Sequence, residues 1–198
     1  MFDLNSYFFV ALALLLSNVM AGTQKKHHVY DVMFPGTKWC GPGNVADHYE
    51  DLGSQVQTDA CCREHDHCPD YIESGQTKHN LSNHAFYTKL HCDCDDVFLK
   101  CLQTVDESEE RTAQSVGHLY FNMLDTKCFD YDYPVIRCLR YDGYGRNKRA
   151  LDNLMVVNVD QIYKAVSYSM RASKRCAEYE YDKKAPKEWQ WFDVSRFQ

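Results

Sequence analysis

The run Cys61-Cys62-Arg63-Glu64-His65-Asp66-His67-Cys68 concentrates sulfur, imidazole and carboxylate within eight residues. Cysteine and histidine at such short spacing are zinc ligands in other settings. Adjacent Cys61 and Cys62, however, point in different directions on a helix and cannot both face one small ion. In an oxidising compartment those thiols are better used in disulfides. On the same helix His65 and Asp66 lie about 100° apart, so one wall presents an imidazole and a carboxylate to neighbouring parts of a single cleft. The plain structural alternative is a cysteine-dense helix with incidental histidines.

A second stretch supplies what a hard cation takes. In Pro35-Gly36-Thr37-Lys38-Trp39-Cys40-Gly41-Pro42-Gly43-Asn44 the density of glycine and proline forbids regular helix and favours close approach of backbone to a ligand. Calcium takes six to eight oxygens from carbonyls, carboxylates and water. Alternate carbonyls of Trp39, Gly41 and Gly43, with both oxygens of Asp66, provide five. A third stretch, Cys92-Asp93-Cys94-Asp95-Asp96, carries acids next to cysteines that disulfides can pin. Either pinned acid can face inward and hold an imidazole nitrogen, as catalytic His–Asp pairs require.

These residues need elements to carry them. Thr58 or Asp59 can cap a helix running through Cys61, Cys62, His65 and Asp66 toward Gly75. A second helix is expected from about His84 to Thr104, with Cys94 and Cys101 two turns apart on one face. Ala113, Val116, Tyr120 and Leu124 recur at spacings of three and four, giving a third, shorter helix. The aromatics of Trp189-Gln190-Trp191-Phe192 favour strand.

The chain as a whole has 198 residues, 44% hydrophobic, 25% charged and 14% aromatic, which is one domain with a sizeable core and not a disordered chain. A net charge of −6 argues against general nucleic-acid binding, which needs surplus Lys and Arg. Ten cysteines suit an exported chain. Tyr7 to Leu16 is an unbroken apolar run ending near the small residue Ala21, too short to span a bilayer but suited to a signal peptide over residues 1–21. Its removal takes away Asp3 and no basic residue, so −6 becomes −5. Residues 22–33 read as a polar lead-in or short propeptide. The reading is a secreted, extracellular protein.

Taken together, Trp39-Cys40-Gly41-Pro42-Gly43-Asn44, Asp59-Ala60-Cys61-Cys62-Arg63-Glu64-His65-Asp66 and Cys92-Asp93-Cys94-Asp95-Asp96 resemble secreted phospholipase A2 of the bee-venom type, group III. Lys78-His79-Asn80-Leu81, Tyr120-Phe121-Asn122, Asp125-Thr126-Lys127-Cys128 and Gln190-Trp191-Phe192-Asp193 agree with it further. The likeness runs from about Phe34 to Arg140 and resumes from Cys176 to the end. It implies a mainly α, small disulfide-rich fold: a calcium loop, two long antiparallel disulfide-linked helices, a third short helix and a small C-terminal β element. The catalytic domain would be residues 34–140, with 176–198 its disulfide-linked tail.

The resemblance also implies roles. Trp39, Gly41 and Gly43 would hold calcium through their carbonyls and Asp66 through its carboxylate, with the Gly41 N–H as oxyanion donor. His65 would be the base, Asp95 the acid orienting it and Tyr120 its support. Neutral His65 would take a proton from a water that attacks the sn-2 ester of a glycerophospholipid, releasing a fatty acid and a lysophospholipid. The implied bridges are Cys40–Cys62, Cys61–Cys101, Cys68–Cys94, Cys92–Cys128 and Cys138–Cys176. A phospholipid membrane surface, met only peripherally, is the expected partner. A toxin or receptor ligand on the same scaffold and a zinc-binding module are the other classes weighed.

The remaining features have modest readings. His67 is expected at or near the surface. Trp189, Trp191 and Phe192 are expected to pack rather than insert into a membrane. Asn80-Leu81-Ser82 is a glycosylation sequon. Between Cys138 and Cys176 lie 37 residues, far more than the bee-venom type has. Arg146-Asn147-Lys148-Arg149 and Lys174-Arg175 bracket an insertion within residues 141–175, where Leu151, Met155, Val159, Ile162, Val166 and Met170 make an amphipathic pattern. Cleavage after Arg149 and Arg175 would leave two chains joined by Cys138–Cys176; otherwise a monomer is expected.

Overall fold

The computed structural model describes residues 33–124, 126–142 and 174–198. The signal segment, the lead-in, the amphipathic pattern and the Arg149 cleavage site lie outside the described residues. Helix α1 spans Val56–Asp66, α2 Cys92–Gln103 and α3 Glu110–Gly117. A π-helical segment, His118–Met123, continues directly from α3. Four two-stranded antiparallel ribbons accompany them among the described residues. Strand β1 (Tyr71–Ile72) pairs with β4 (Lys89–Leu90), and β2 (Thr77–Lys78) with β3 (Leu81–Ser82). Strand β5 (Lys127–Asp132) pairs with β8 (Glu188–Asp193), and β6 (Val135–Asp142) with β7 (Arg175–Tyr181).

The mainly α expectation is therefore corrected: strands cover about as much of the described chain as helices. The tyrosines, valines and tryptophans of 127–142 and 175–193 pair across the sequence, and helical periodicity does not register pairings between distant segments. The helices are also shorter than expected. Helix α1 begins at Val56, not at Thr58, because its first free N–H groups are met from elsewhere. Glu109, at the entry to α3, accepts from Gln57 N at 3.2 Å and Thr58 N at 2.9 Å. It ends at Asp66 rather than near Gly75, since Pro69 disfavours helical backbone at Cys68. Helix α2 starts at Cys92, eight residues after the expected His84. His91 caps it, Nδ1 accepting from Asp93 N at 3.2 Å.

Disulfides do much of the assembly. Helices α1 and α2 are bound by Cys61–Cys101 and Cys68–Cys94, which run in opposite senses along the two helices and so make them antiparallel. Cys40–Cys62 ties the glycine-rich loop to α1, Cys92–Cys128 ties α2 to β5, and Cys138–Cys176 bridges β6 and β7. Each such cross-link contributes roughly 2–4 kcal/mol, mainly by restricting the unfolded chain. Around them Trp39, Phe98, Leu102, Ala113, Val116, Phe121, Phe192, Val194 and Phe197 form the core.

Two details govern the C-terminal half. A Cβ on Gly117 would lie 2.4 Å from the Phe197 ring, so the last turn of α3 is glycine to admit that ring. Arg175 is only 2% exposed, and its guanidinium donates to the carbonyls of Phe121 and Val194. A protease subsite must take such a side chain in extended form, so cutting after Arg175 requires this end of β7 to open first. Phe192 is buried, Trp189 stacks on His79 at 3.9 Å, and Trp191 lies under the Lys89 ammonium at 4.3 Å. These aromatics are packed.

Candidate active site

The antiparallel pairing of α1 and α2 brings His65 and Asp95 together. His65 Nε2 lies 2.9 Å from Asp95 Oδ1, with side chains 9% and 1% exposed. A carboxylate only accepts, so the Nε2–H tautomer is the one this contact favours, leaving the Nδ1 lone pair for a reactant. Of the acids in the Cys92–Asp96 stretch, Asp95 faces inward whereas the Asp93 side chain is 87% exposed beside His91. Tyr120 Oη donates to the same Asp95 Oδ1 at 2.8 Å. Burial first, then the adjacent Asp95 charge, pushes the Tyr120 hydroxyl well above the usual tyrosine range, so it remains a donor. The π-helical segment is what carries Tyr120 here, where the sequence pattern suggested one continuous helix through Leu124.

The imidazole plane is set by packing. Phe98 stacks on the His65 ring at 4.2 Å and 23°, and Tyr120 meets it edge-on at 4.8 Å. Sequence reasoning missed Phe98, although its place one turn after Asp95 on α2 puts it on the same face.

Asp66, the next residue, faces a different partner. By surface area it is exposed, yet protein crowds the carboxyl and, together with the negative Asp59, pushes its pKa up to about 7. It makes no hydrogen bond or ion pair with the described residues. The Gly41 and Gly43 carbonyls likewise accept no hydrogen bond from them, while the Trp39 carbonyl accepts only the bent Gly41 N–H at 3.1 Å. Loop carbonyls that accept little and a carboxylate with no cationic partner among the described residues are donor types that suit a hard divalent cation. Gly43 needs its glycine for backbone reasons, at φ +87.

The loop's neck is held by a residue that the sequence reading treated as a helix cap. The Asp59 carboxylate, fully buried, accepts from the backbone N–H groups of Lys38, Trp39 and Gly53 at 2.8–3.0 Å. His67 is exposed, its Nδ1 donating to the Arg63 carbonyl at 2.7 Å and its ring against Trp39 and Tyr49. All ten cysteines are bridged, so no thiolate is left for zinc. Asn80 sits exposed in the two-residue turn between β2 and β3, where His79 and Asn80 take φ +53 and +60.

A family model described as phospholipase A2 matches residues 33–132, a span that contains the loop, His65, Asp95 and Tyr120. The chain belongs to the phospholipase A2 family. Among its relatives, phospholipase A2 of Xylocopa appendiculata circumvolans is 42% identical over 164 residues, 83% of this chain and 73% of that one. Phospholipase A2 of Apis mellifera is 35% identical over 193 residues, covering 94% of this chain and 96% of its own. Acidic phospholipase A2 PA4 of Heloderma suspectum is 45% identical over 100 residues, half of this chain and 68% of that one. This phospholipase A2 family member has no helix, among the described residues, long and apolar enough to cross a membrane.

Proposed function

We propose that this chain is a secreted, calcium-dependent phospholipase A2 that hydrolyses the sn-2 ester of glycerophospholipids to a fatty acid and a lysophospholipid. The observation that carries the reading is the His65 Nε2 to Asp95 Oδ1 contact of 2.9 Å, one residue from the carboxylate that fits a divalent cation. His65 Nδ1 accepts a proton from the attacking water, so no acyl-enzyme is needed. The proton stays on the ring until the tetrahedral centre collapses and then passes to the leaving oxygen. Asp95 holds the ring by Nε2–H and steadies the imidazolium, while Tyr120 keeps that carboxylate in place. Phe98 prevents the ring from turning out of line.

Trp39, Gly41 and Gly43 through their carbonyls and Asp66 through its carboxylate would hold calcium. Bound there, calcium supplies Lewis-acid polarisation of the ester carbonyl and charge neutralisation for the lipid phosphate. The Gly41 N–H, whose intraloop bond is bent, is the residue's own donor for a developing oxyanion. The sequon at Asn80, exposed on a turn, is a site for a glycan, and the enzyme acts peripherally on a phospholipid surface as a monomer or as two chains joined by Cys138–Cys176.

The test is hydrolysis of mixed phospholipid vesicles with product analysis, in calcium and in chelator. Release of sn-2 fatty acid that stops in chelator supports the reading. Turnover undiminished by chelator, or release from the sn-1 position, would sink it.

A further inference from the structure

Three positions of α1 form one stripe: Asp59, Cys62 and Asp66 are spaced by three and four residues and lie on the same helix face. Each meets the glycine-rich loop or is set to do so. Cys62 is bonded to Cys40, and Asp66 fits a cation held by the loop's carbonyls. Asp59 accepts backbone N–H groups from both sides of the loop's neck. Lys38 N lies 3.0 and 2.9 Å from its two oxygens, Trp39 N 2.8 Å from Oδ1, and Gly53 N 2.8 Å from Oδ2. The Lys38 carbonyl accepts Val45 N at 2.9 Å, so residues 39–44 are bracketed at both ends.

We infer that Asp59 is a positioning residue for the cation, fixing the carbonyl loop in its binding shape and adding a second negative charge behind it. The inference rests on the calcium reading above. Burying an ionised carboxylate with no exposed surface is costly unless it is fully bonded. Asp59 meets that requirement with backbone N–H groups, while the Lys38 ammonium acts on it only through space. Its negative charge is felt at Asp66, the carboxyl proposed for the cation. In a planar trans peptide the N–H and C=O point in opposite directions. Anchoring Trp39 N–H thus fixes the Lys38 carbonyl in the same peptide plane, the acceptor of Val45 N that closes the loop around residues 39–44.

The test is calcium titration by calorimetry on wild type, Asp59→Asn and the control Asp51→Asn. Asparagine keeps the shape but turns an NH₂ toward N–H donors and removes the charge. The dissociation constant for Asp59→Asn should rise by at least about tenfold in folded, fully bridged protein, since ligand charge and site rigidity set calcium affinity. Asp51→Asn, which weakens the partly buried ion pair with Lys38 and the bond from Asp47 N but leaves the Asp59 bonds to Lys38, Trp39 and Gly53 N in place, should stay within about twofold. Equal affinity for wild type and Asp59→Asn would overturn the inference while leaving calcium dependence standing; no calcium binding by wild type would overturn both. Should Asp59→Asn fail to fold, amide exchange of wild type in chelator decides. Protected Lys38 and Trp39 amides support a loop prebuilt on Asp59, and exchange as fast as at exposed Asn44 overturns it.

Discussion

The Trp39 backbone N–H donates to the buried Asp59 carboxylate at 2.8 Å, while the carbonyl of the same residue accepts the Gly41 N–H at 3.1 Å. One residue therefore links a buried charge on α1 to the carbonyls of the glycine-rich loop. A bond between residues two apart is bent and weak. Gly41 can thus exchange its partner for a stronger acceptor at small cost, without disturbing the anchored neck.

His65→Gln should lower turnover by roughly 10²–10⁴-fold, the usual worth of a positioned general base. Because His65 contacts Asp95, Phe98 and Tyr120 but not the loop, calcium affinity and melting temperature should change little. Steady-state hydrolysis together with calcium titration checks both. A parallel fall in calcium affinity would mean that the ring helps shape the cation site.

Asp66 makes the calcium-free protein sensitive to pH in a definite sense. Its folded pKa, raised to about 7 by burial and by Asp59, lies above the ordinary carboxylate value, so folding favours the protonated form. The destabilisation from ionising it is absent below about pH 4 and complete above about pH 7. In chelator, wild type should melt at a higher temperature at pH 5 than at pH 8, relative to Asp66→Asn. Calcium and the proton also compete for the carboxyl, so binding should release protons near neutral pH. Calorimetry in buffers of different ionisation enthalpy measures that release, and its absence would contradict the assignment.

A second pH effect has the opposite slope. Burial holds His118 below the ordinary histidine value, and Asn122 Nδ2 donates to its Nδ1 at 2.8 Å. The same amide donates to the Phe197 carbonyl at 2.9 Å and accepts Phe197 N at 3.0 Å, so it latches the segment after β8 to the π-helical segment. A depressed histidine contributes stability in full above its unfolded pKa, about 6.5, and that stability is lost as pH falls from there through the lower folded value. His118→Phe should show a smaller loss of melting temperature between pH 7 and pH 5 than wild type. An unchanged slope would place the effect elsewhere.

Burial of Arg175 predicts selective resistance to proteolysis. Limited digestion by trypsin should leave the bond after Arg175 intact in native protein and cut it after reduction and denaturation. Peptide mass spectrometry reads the difference. Cleavage there in native protein, at a rate similar to the denatured chain, would show that this end of β7 opens freely and would make excision after Arg175 straightforward.

Much of the site was legible in the residues alone, because local spacing dictates which side chains share a helix face. His65 beside Asp66, alternate carbonyls at Trp39, Gly41 and Gly43, and acids flanking Cys94 all follow from residue order, from periods of 3.6 or 2 and from glycine's lack of a side chain. The same arithmetic puts Asp59, Cys62 and Asp66 on one stripe. What it could not supply were partners distant in sequence. Asp59 looks like a helix cap in a linear reading. Only the fold brings Lys38, Trp39 and Gly53 to its oxygens and hands the capping of α1 to Glu109, about fifty residues away. The choice of Asp95 over Asp93 needed the disulfide-set antiparallel packing of α1 and α2. The extent of strand needed the pairing of β5 with β8 and of β6 with β7. Short-range periodicity specifies faces; hydrogen bonds and charges between faces depend on which segments meet, and tertiary structure decides that.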